Sequence, residues 1–117
     1  MNPMNGMPPV HPGEILADEL DELGLSANAF AKALGVPTNR VTAILNAQRG
    51  VTADTALRLA RYFGTGAQFW LNLQKTYELR RAEIESWEDI QRTVQPRLAL
   101  AIAEGTDQAE YKPESSA

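Results

Sequence analysis

Apolar residues recur along the chain at the three- and four-residue intervals of amphipathic helices, and turn-forming residues separate the segments that carry them. The sequence contains no alternating run of β-branched residues bounded by turns, which a half-buried strand would require. We therefore predict an all-α fold in which five helices occupy residues 12–84.

Capping residues indicate where these helices begin and end. Ser26 and Thr52 are favoured N-cap residues, and Gly24, Gly35 and Gly64 are favoured at helix C-termini. The predicted helices cover residues 12–23, 27–34, 38–46, 53–63 and 66–84, with a capping box of Thr65 and Gln68 before the last.

Composition changes at both ends of the helical region. Residues 1–10 are rich in Asn, Pro, Gly and Met, which predicts a flexible tail, and residues 11–85 form the helical domain. For residues 86–117 we predict a helical extension, interrupted at Pro96, that ends in a disordered tail.

The second and third helices are joined by a glycine-containing turn, which is the helix-turn-helix arrangement. Ala31 is small where a crossing helix approaches closely, and Gly35 can take the positive φ that starts the turn. The apolar positions that hold the two helices against the core are Phe30, Leu34, Val36, Val41 and Ile44.

This packing leaves one side of the third helix facing outward. Its residues suit a DNA major groove, since Asn can read adenine, Arg can read guanine, and methyl groups can contact thymine. A polar surface helix without a ligand is the alternative. The predicted base-reading residues are Thr38, Asn39, Arg40, Thr42, Ala43 and Asn46.

Three residues near this helix are predicted phosphate contacts. Ser26 and Asn28 lie at the start of the second helix, whose backbone amides favour an anion. Arg49 follows the third helix in a loop, where it either binds phosphate or is an uninvolved surface charge. Arg58 and Arg61 are weaker candidates.

Charges segregate along the chain. Residues 1–25 hold five acids and no base, residues 26–82 hold eight bases and two acids, and residues 83–117 hold eight acids and three bases. The net charge of −4 therefore combines a basic middle with two acidic ends. This pattern favours a polyanion at the middle and a basic partner at the ends, although solvated surface explains it equally well.

Four residues of the last helix form an apolar stripe. They either complete the core or close a two-fold dimer, which would place two copies of the third helix about 34 Å apart on an inverted repeat. The residues are Phe69, Trp70, Leu73 and Tyr77.

Several classes of protein are excluded or disfavoured. The chain has no Cys, which excludes disulfides and thiolate metal sites, and its single His11 is interpreted as a capping or surface residue. No phosphate-binding loop, metal cluster or activated nucleophile is present, so we expect no cofactor, no metal and no enzyme activity. We also expect no membrane span and a cytoplasmic location.

Several segments together resemble the HigA-type antitoxins of the lambda-repressor-like helix-turn-helix class. The resemblance covers about residues 11–82, and Pro37 departs from it where related sequences often carry a Ser or Thr cap. It implies a dimer that binds operator DNA and represses its own operon, with a basic HigB-type messenger-RNA-cleaving toxin as partner. The segments are residues 11–16, 31–36, 40–41, 44–46, 52–64 and 69–74.

We predict that a basic toxin would bind the acidic side of the first helix, because opposite charges accelerate and orient the encounter of two proteins. The predicted toxin contacts are Asp18, Glu19, Asp21 and Glu22, with solubility as the alternative role of these acids. A stand-alone repressor and an inhibitor that does not bind DNA remain alternative functions.

Overall fold

The computed structural model describes residues 8–97, which form five α-helices. The predicted all-α, five-helix fold is confirmed, and three of the helices have the predicted bounds. Among the described residues, no helix is both long and apolar enough to cross a membrane. The helices are α1 (Pro12–Leu23), α2 (Ala27–Leu34), α3 (Thr38–Leu45), α4 (Ala53–Phe63) and α5 (Ala67–Thr93).

The helix ends follow the capping rules from which they were predicted. The hydroxyl groups of Ser26 and Thr52 accept backbone N–H hydrogen bonds at the starts of α2 and α4. Gly24, Gly35 and Gly64 end α1, α2 and α4 with φ angles of 68°, 73° and 76°. These left-handed conformations allow the short turns that return the chain toward the core.

The C-terminus of α3 lacks a glycine. Ala47 occupies the left-handed position there with a φ of 59°. The N–H of Gln48 donates to the carbonyl of Ala43 at 2.8 Å, and the N–H of Ala47 donates to that of Ile44 at 3.0 Å. This pair of hydrogen bonds is the Schellman motif, with alanine where glycine is usual.

The core lies where α2 and α3 pack against each other, α3 against α1, and α2 against α4. Ala31 is 1% exposed, consistent with the close approach expected of it. Gly13 lies against the carbonyl oxygen of Ile44, which an added Cβ atom would overlap. The buried apolar residues are Leu16, Leu20, Phe30, Ala31, Leu34, Val41, Ile44, Val51, Ala56, Leu59 and Trp70.

The last helix is longer than predicted. We expected it to end near Ile84 and a separate helical extension to begin at residue 86, but α5 runs without interruption over Ala67–Thr93. The sequence contains neither Pro nor Gly between these bounds, so nothing breaks the helix. The backbone of residues 94–96 is not helical, which agrees with the predicted break at Pro96.

The predicted capping box before α5 is wrong. The hydroxyl of Thr65 accepts a hydrogen bond from the indole N–H of Trp70 at 3.2 Å. The side chain of Gln68 donates to that of Asn72 at 3.0 Å, one turn further along the helix. Each side chain therefore binds another side chain instead of the backbone N–H group that a capping box would require.

The chain divides into two compact units, with the boundary between Glu85 and Ser86. The first contains α1 to α4 and the first part of α5, and the second contains the end of α5, with an ion pair of 3.1 Å between Arg92 and Asp89. Most of the predicted N-terminal tail and the predicted tail after residue 97 lie outside the described residues.

Candidate nucleic-acid interface

The outward side of α3 carries a continuous stripe of small polar and apolar side chains. Asn39 and Asn46 are exposed, while Thr42 and Ala43 are partly exposed. Their spacing of three and four residues places all four on one side of the helix, opposite the buried Val41 and Ile44. The stripe contains no carboxylate that would repel a phosphate.

Hydrogen bonds to neighbouring helices hold both sides of the first turn of α3. On one side, the hydroxyl of Thr38 donates to Oδ1 of Asn28 on α2 at 2.8 Å. On the other side, Nη1 of Arg40 donates to Oδ2 of Asp54 on α4 at 2.9 Å. Burial of Val41 and Ile44 sets the rotation of α3 about its axis, and hence the direction in which the stripe faces, and these two surface contacts add to it.

Pro37 precedes α3 at the N-cap position, and its side chain makes no capping hydrogen bond. Thr38 is the first helical residue, and its hydroxyl binds α2. The contact between Thr38 and Asn28 therefore helps to fix the start of α3, where related sequences often carry a capping hydroxyl.

We expected Arg40 to read bases from the outward side of α3, but its side chain does not lie on the exposed stripe. Its guanidinium is directed at Asp54, its side chain is 25% exposed, and its Nε atom is buried. The reason is its place at the border between the buried and exposed sides of α3, beside the first turn of α4. The sequence offered one signal, since Asp54 is one of only two acids among residues 26–82.

Asp54 binds a second arginine through the same oxygen atom. Nε of Arg58 lies 2.8 Å from Oδ2 of Asp54, and Nη1 of Arg58 donates to the carbonyl of Leu34 at 2.8 Å. Arg58 thus caps the C-terminus of α2 at the turn. Hydrogen bonds from Arg58 and, less strongly, Arg40 lower the pKa of the Asp54 carboxyl, so it is ionised at neutral pH.

The predicted phosphate contacts differ in their surroundings. Ser26 caps α2 by accepting the N–H of Ala29 at 3.1 Å, and Asn28 is bound to Thr38. Both lie at the start of α2, where free backbone N–H groups favour an anion. The side chain of Arg49 is exposed in the loop between α3 and α4.

Two buried polar side chains that we did not assign to the site support this loop. His11 is 3% exposed and caps α1, as one of its two interpretations predicted, with Nδ1 accepting the N–H of Gly13 at 2.8 Å. Burial lowers the pKa of His11, although a hydrogen bond to the backbone of Arg49 and the charge of Glu14 oppose the shift. The imidazole therefore joins the start of α1 to the loop after α3.

Gln74 supports the same loop from α5. Its Oε1 accepts the N–H of Val51 at 2.8 Å, and its Nε2 donates to Glu78 at 2.8 Å. Gly50 packs so closely on this side chain that a Cβ atom there would overlap it. The sequence signal for this contact is the spacing of Gln74, which lies four residues after the apolar Trp70 and therefore on the same, buried side of α5.

The apolar stripe of α5 divides between core and surface. Trp70 is 2% exposed and belongs to the core, so we remove it from the predicted dimer contacts. Leu73 and Tyr77 are partly buried, and the Tyr77 ring packs edge-to-face on His11 with centroids 4.7 Å apart. Phe69 is 47% exposed and is the main apolar group that this stripe presents to solvent.

The acidic side of α1 is fully open. Its four predicted toxin contacts, Asp18, Glu19, Asp21 and Glu22, are all exposed.

Comparison with known proteins identifies the family. A helix-turn-helix family model matches residues 16–70. A HigA-family addiction module antidote protein from Coxiella burnetii is 58% identical, with a TM-score of 0.76 over 77% of this chain and 99% of that chain. The chain belongs to the HigA family of helix-turn-helix antitoxins.

Two further proteins are similar to this chain, and one of them is named HigA. Antitoxin HigA of Pseudomonas aeruginosa, solved with the higBA promoter, is 48% identical with a TM-score of 0.74, covering 76% of this chain and 98% of that chain. Virulence-associated protein I of Dichelobacter nodosus is 60% identical over 80 residues, which are 68% of this chain and 74% of that protein.

HigA membership confirms the lambda-repressor-like fold expected from the sequence resemblance. The family consists of helix-turn-helix regulators and is not a class of enzymes. Within residues 8–97, no group of three or more His, Asp or Glu side chains is arranged to hold a metal ion.

Proposed function

We propose that this HigA-family protein binds operator DNA by inserting α3 into the major groove and thereby represses its own operon. The single observation that carries the proposal is the exposed stripe of α3, which lies opposite the buried Val41 and Ile44. The P. aeruginosa relative, solved with a promoter, supports DNA as the ligand. A cytoplasmic location is part of this proposal, because the operator DNA would lie there.

We assign the base contacts to the exposed stripe of α3. Asn39 and Asn46 can each make two hydrogen bonds to adenine, and the methyl groups of Thr42 and Ala43 can contact thymine. Thr38 stands at the border of the stripe. Arg40 is not included, because its guanidinium binds Asp54.

Phosphate contacts position the protein on the duplex. We assign them to the N-terminus of α2, with Ser26 and Asn28, and to the exposed side chain of Arg49. These proposed contacts come from the two segments that flank α3 in the chain, the start of α2 and the loop between α3 and α4.

The protein acts on DNA as a homodimer in this proposal. Phe69, Leu73 and Tyr77 of α5 provide the dimer contacts, of which Phe69 is the most exposed. Two copies of α3 about 34 Å apart would read successive major grooves, which requires an inverted-repeat operator.

The antitoxin part of the proposal is neutralisation of a HigB-type ribonuclease toxin through the acidic side of α1. All four of its carboxylates are exposed, and no base lies within α1. We expect charge reversal at Asp18 and Glu22 to weaken capture of the toxin in a pull-down, because the basic partner loses its complementary charges. Undiminished capture would place the toxin on another surface.

DNA binding is tested with the duplex upstream of the gene that encodes the chain. We expect the Asn46→Ala variant to lose about 1–3 kcal/mol of operator affinity, as measured by fluorescence anisotropy, because a bidentate base contact disappears. The matched control is Gln91→Ala, which removes an exposed amide near the end of α5. Equal affinities of both variants and the wild type would contradict the assignment of Asn46.

The same titration separates the alternative functions. Operator binding should weaken steeply as salt rises, because Lys and Arg displace counterions from phosphates. A wild-type chain that captures toxin but binds no upstream DNA would be an inhibitor without DNA binding. One that binds DNA but has no neighbouring toxin gene would be a stand-alone repressor.

A further inference from the structure

We infer that Asp54 holds Arg40 away from DNA phosphates and so lowers the affinity of the protein for DNA of any sequence. The inference rests on the proposed function, because it concerns how strongly the protein binds a duplex through phosphate contacts. It assigns a role to a carboxylate that makes no base or phosphate contact itself.

The geometry turns Arg40 away from the stripe. Its neighbour Asn39 is exposed on the outward side, whereas Nη1 of Arg40 lies 2.9 Å from Asp54 on α4. The Nε atom of Arg40 is buried, so only the end of its guanidinium can reach an external acceptor. Arg40 belongs to α3, the proposed DNA-reading helix, but its guanidinium is thus bound within the protein.

The two arginines on Asp54 are held differently. Arg58 also donates to the carbonyl of Leu34, so it keeps a partner if the carboxylate is removed. For Arg40, Asp54 is the acceptor that fixes the guanidinium. Because the Asp54 side chain is 57% exposed, this ion pair lies in water, where a phosphate can compete for the same cation.

A free Arg40 would add affinity that does not depend on DNA sequence. An arginine that binds phosphate adds affinity on every sequence, whereas a base contact adds affinity only on the operator. The carboxylate of Asp54 supplies the acceptor that a phosphate would otherwise provide. Retaining Arg40 on Asp54 therefore lowers the affinity for every duplex without removing any contact of the exposed stripe.

The test compares wild type and Asp54→Asn on the upstream duplex and on a random-sequence duplex of equal length across a salt series. For the variant on random sequence, we expect the plot of log affinity against log salt to steepen by about one phosphate contact, a slope change of about −0.9. The affinities for both duplexes should rise by a similar factor, so that the ratio of operator to random-sequence affinity stays unchanged. Asp89→Asn is the matched control, because it removes one exposed carboxylate that is likewise paired with an arginine.

The Arg40→Gln/Asp54→Asn double variant identifies the released cation. We expect its slope on random sequence to return to the wild-type value. A steepened slope that persists in the double variant would overturn the inference, because another group would then carry the effect. Unchanged slopes in Asp54→Asn, or a loss of affinity for both duplexes, would overturn it as well.

Arg40→Gln alone keeps the inference testable if Asp54→Asn fails to fold. We expect this variant to leave the random-sequence slope unchanged, because Arg40 does not contact phosphate in the wild type. A slope that becomes shallower by about one contact would overturn the inference. A wild-type chain that binds neither duplex would remove the proposed function, and the inference with it.

Discussion

At the scale of single residues, buried polar side chains organise the candidate interface. His11 and Gln74 each bind the backbone of the loop between α3 and α4, from the start of α1 and from α5. Neither faces the proposed ligand. Their contribution is to hold the loop that carries Arg49, since a buried donor or acceptor without a partner is costly.

The buried His11 makes stability depend on pH. Its pKa is below the ordinary value of 6.5, so the unfolded chain takes up the proton first as pH falls. We expect the free energy of unfolding to be constant above that value and to decrease as pH falls from 6.5 toward the lowered pKa.

Urea denaturation over a series of pH values measures this dependence, with His11→Asn as the comparison. Asn retains an acceptor oxygen for the cap but does not titrate. The decrease between pH 7 and about pH 5.5 should therefore be absent from the variant. An equal decrease in both proteins would assign the pH dependence to other groups.

At the scale of elements, the three turns that end in glycine contrast with the end of α3. Gly24, Gly35 and Gly64 take their left-handed conformations without strain, whereas Ala47 adopts a φ of 59° with a Cβ atom present. The end of α3 is therefore the one αL position, among the described residues, that carries a side chain.

We expect Ala47→Gly to stabilise the protein by about 0.5–1 kcal/mol, because removal of the Cβ strain exceeds the added entropy of the unfolded chain. Thermal unfolding followed by circular dichroism measures the change. Ala33→Gly is the control, since Ala33 lies in α2 with helical geometry and should lose about 0.5–1 kcal/mol. A lower melting temperature for Ala47→Gly would contradict the strain argument.

At the scale of the whole molecule, the proposed function needs two copies of α3 on one duplex. The first unit of the chain buries Trp70 but leaves Phe69 beside it 47% exposed, which makes Phe69 the place to test for dimer contact. An exposed aromatic ring of this kind gains free energy when a partner covers it.

We expect Phe69→Glu to shift the protein toward monomer in analytical ultracentrifugation, because it would bury a charge in the proposed interface. Operator affinity should fall by at least about tenfold, since one half-site then no longer raises the effective concentration at the other. Leu23→Glu is the matched control, because Leu23 is 50% exposed at the end of α1. A Phe69→Glu protein that remains dimeric would exclude this part of α5 from the interface.

Much of the fold was accessible from the sequence because its signals are local. Helix N-caps at Ser26 and Thr52 and glycines after α1, α2 and α4 act within one turn of the chain, and periodic apolar residues give the buried sides of the helices. The predicted end of α5 near Ile84 was wrong because the sequence contains no Pro or Gly there, so the helix continues to Thr93.

The sequence by itself determined the helices and the outward stripe of α3, since both follow from the 3.6-residue period. Only the tertiary structure decided that Arg40 binds Asp54, 14 residues further along the chain, and that Trp70 rather than Phe69 is buried. Which acceptor a long arginine reaches, and which neighbouring aromatic ring is covered, depends on how separate helices meet. Periodicity carries no information about that packing.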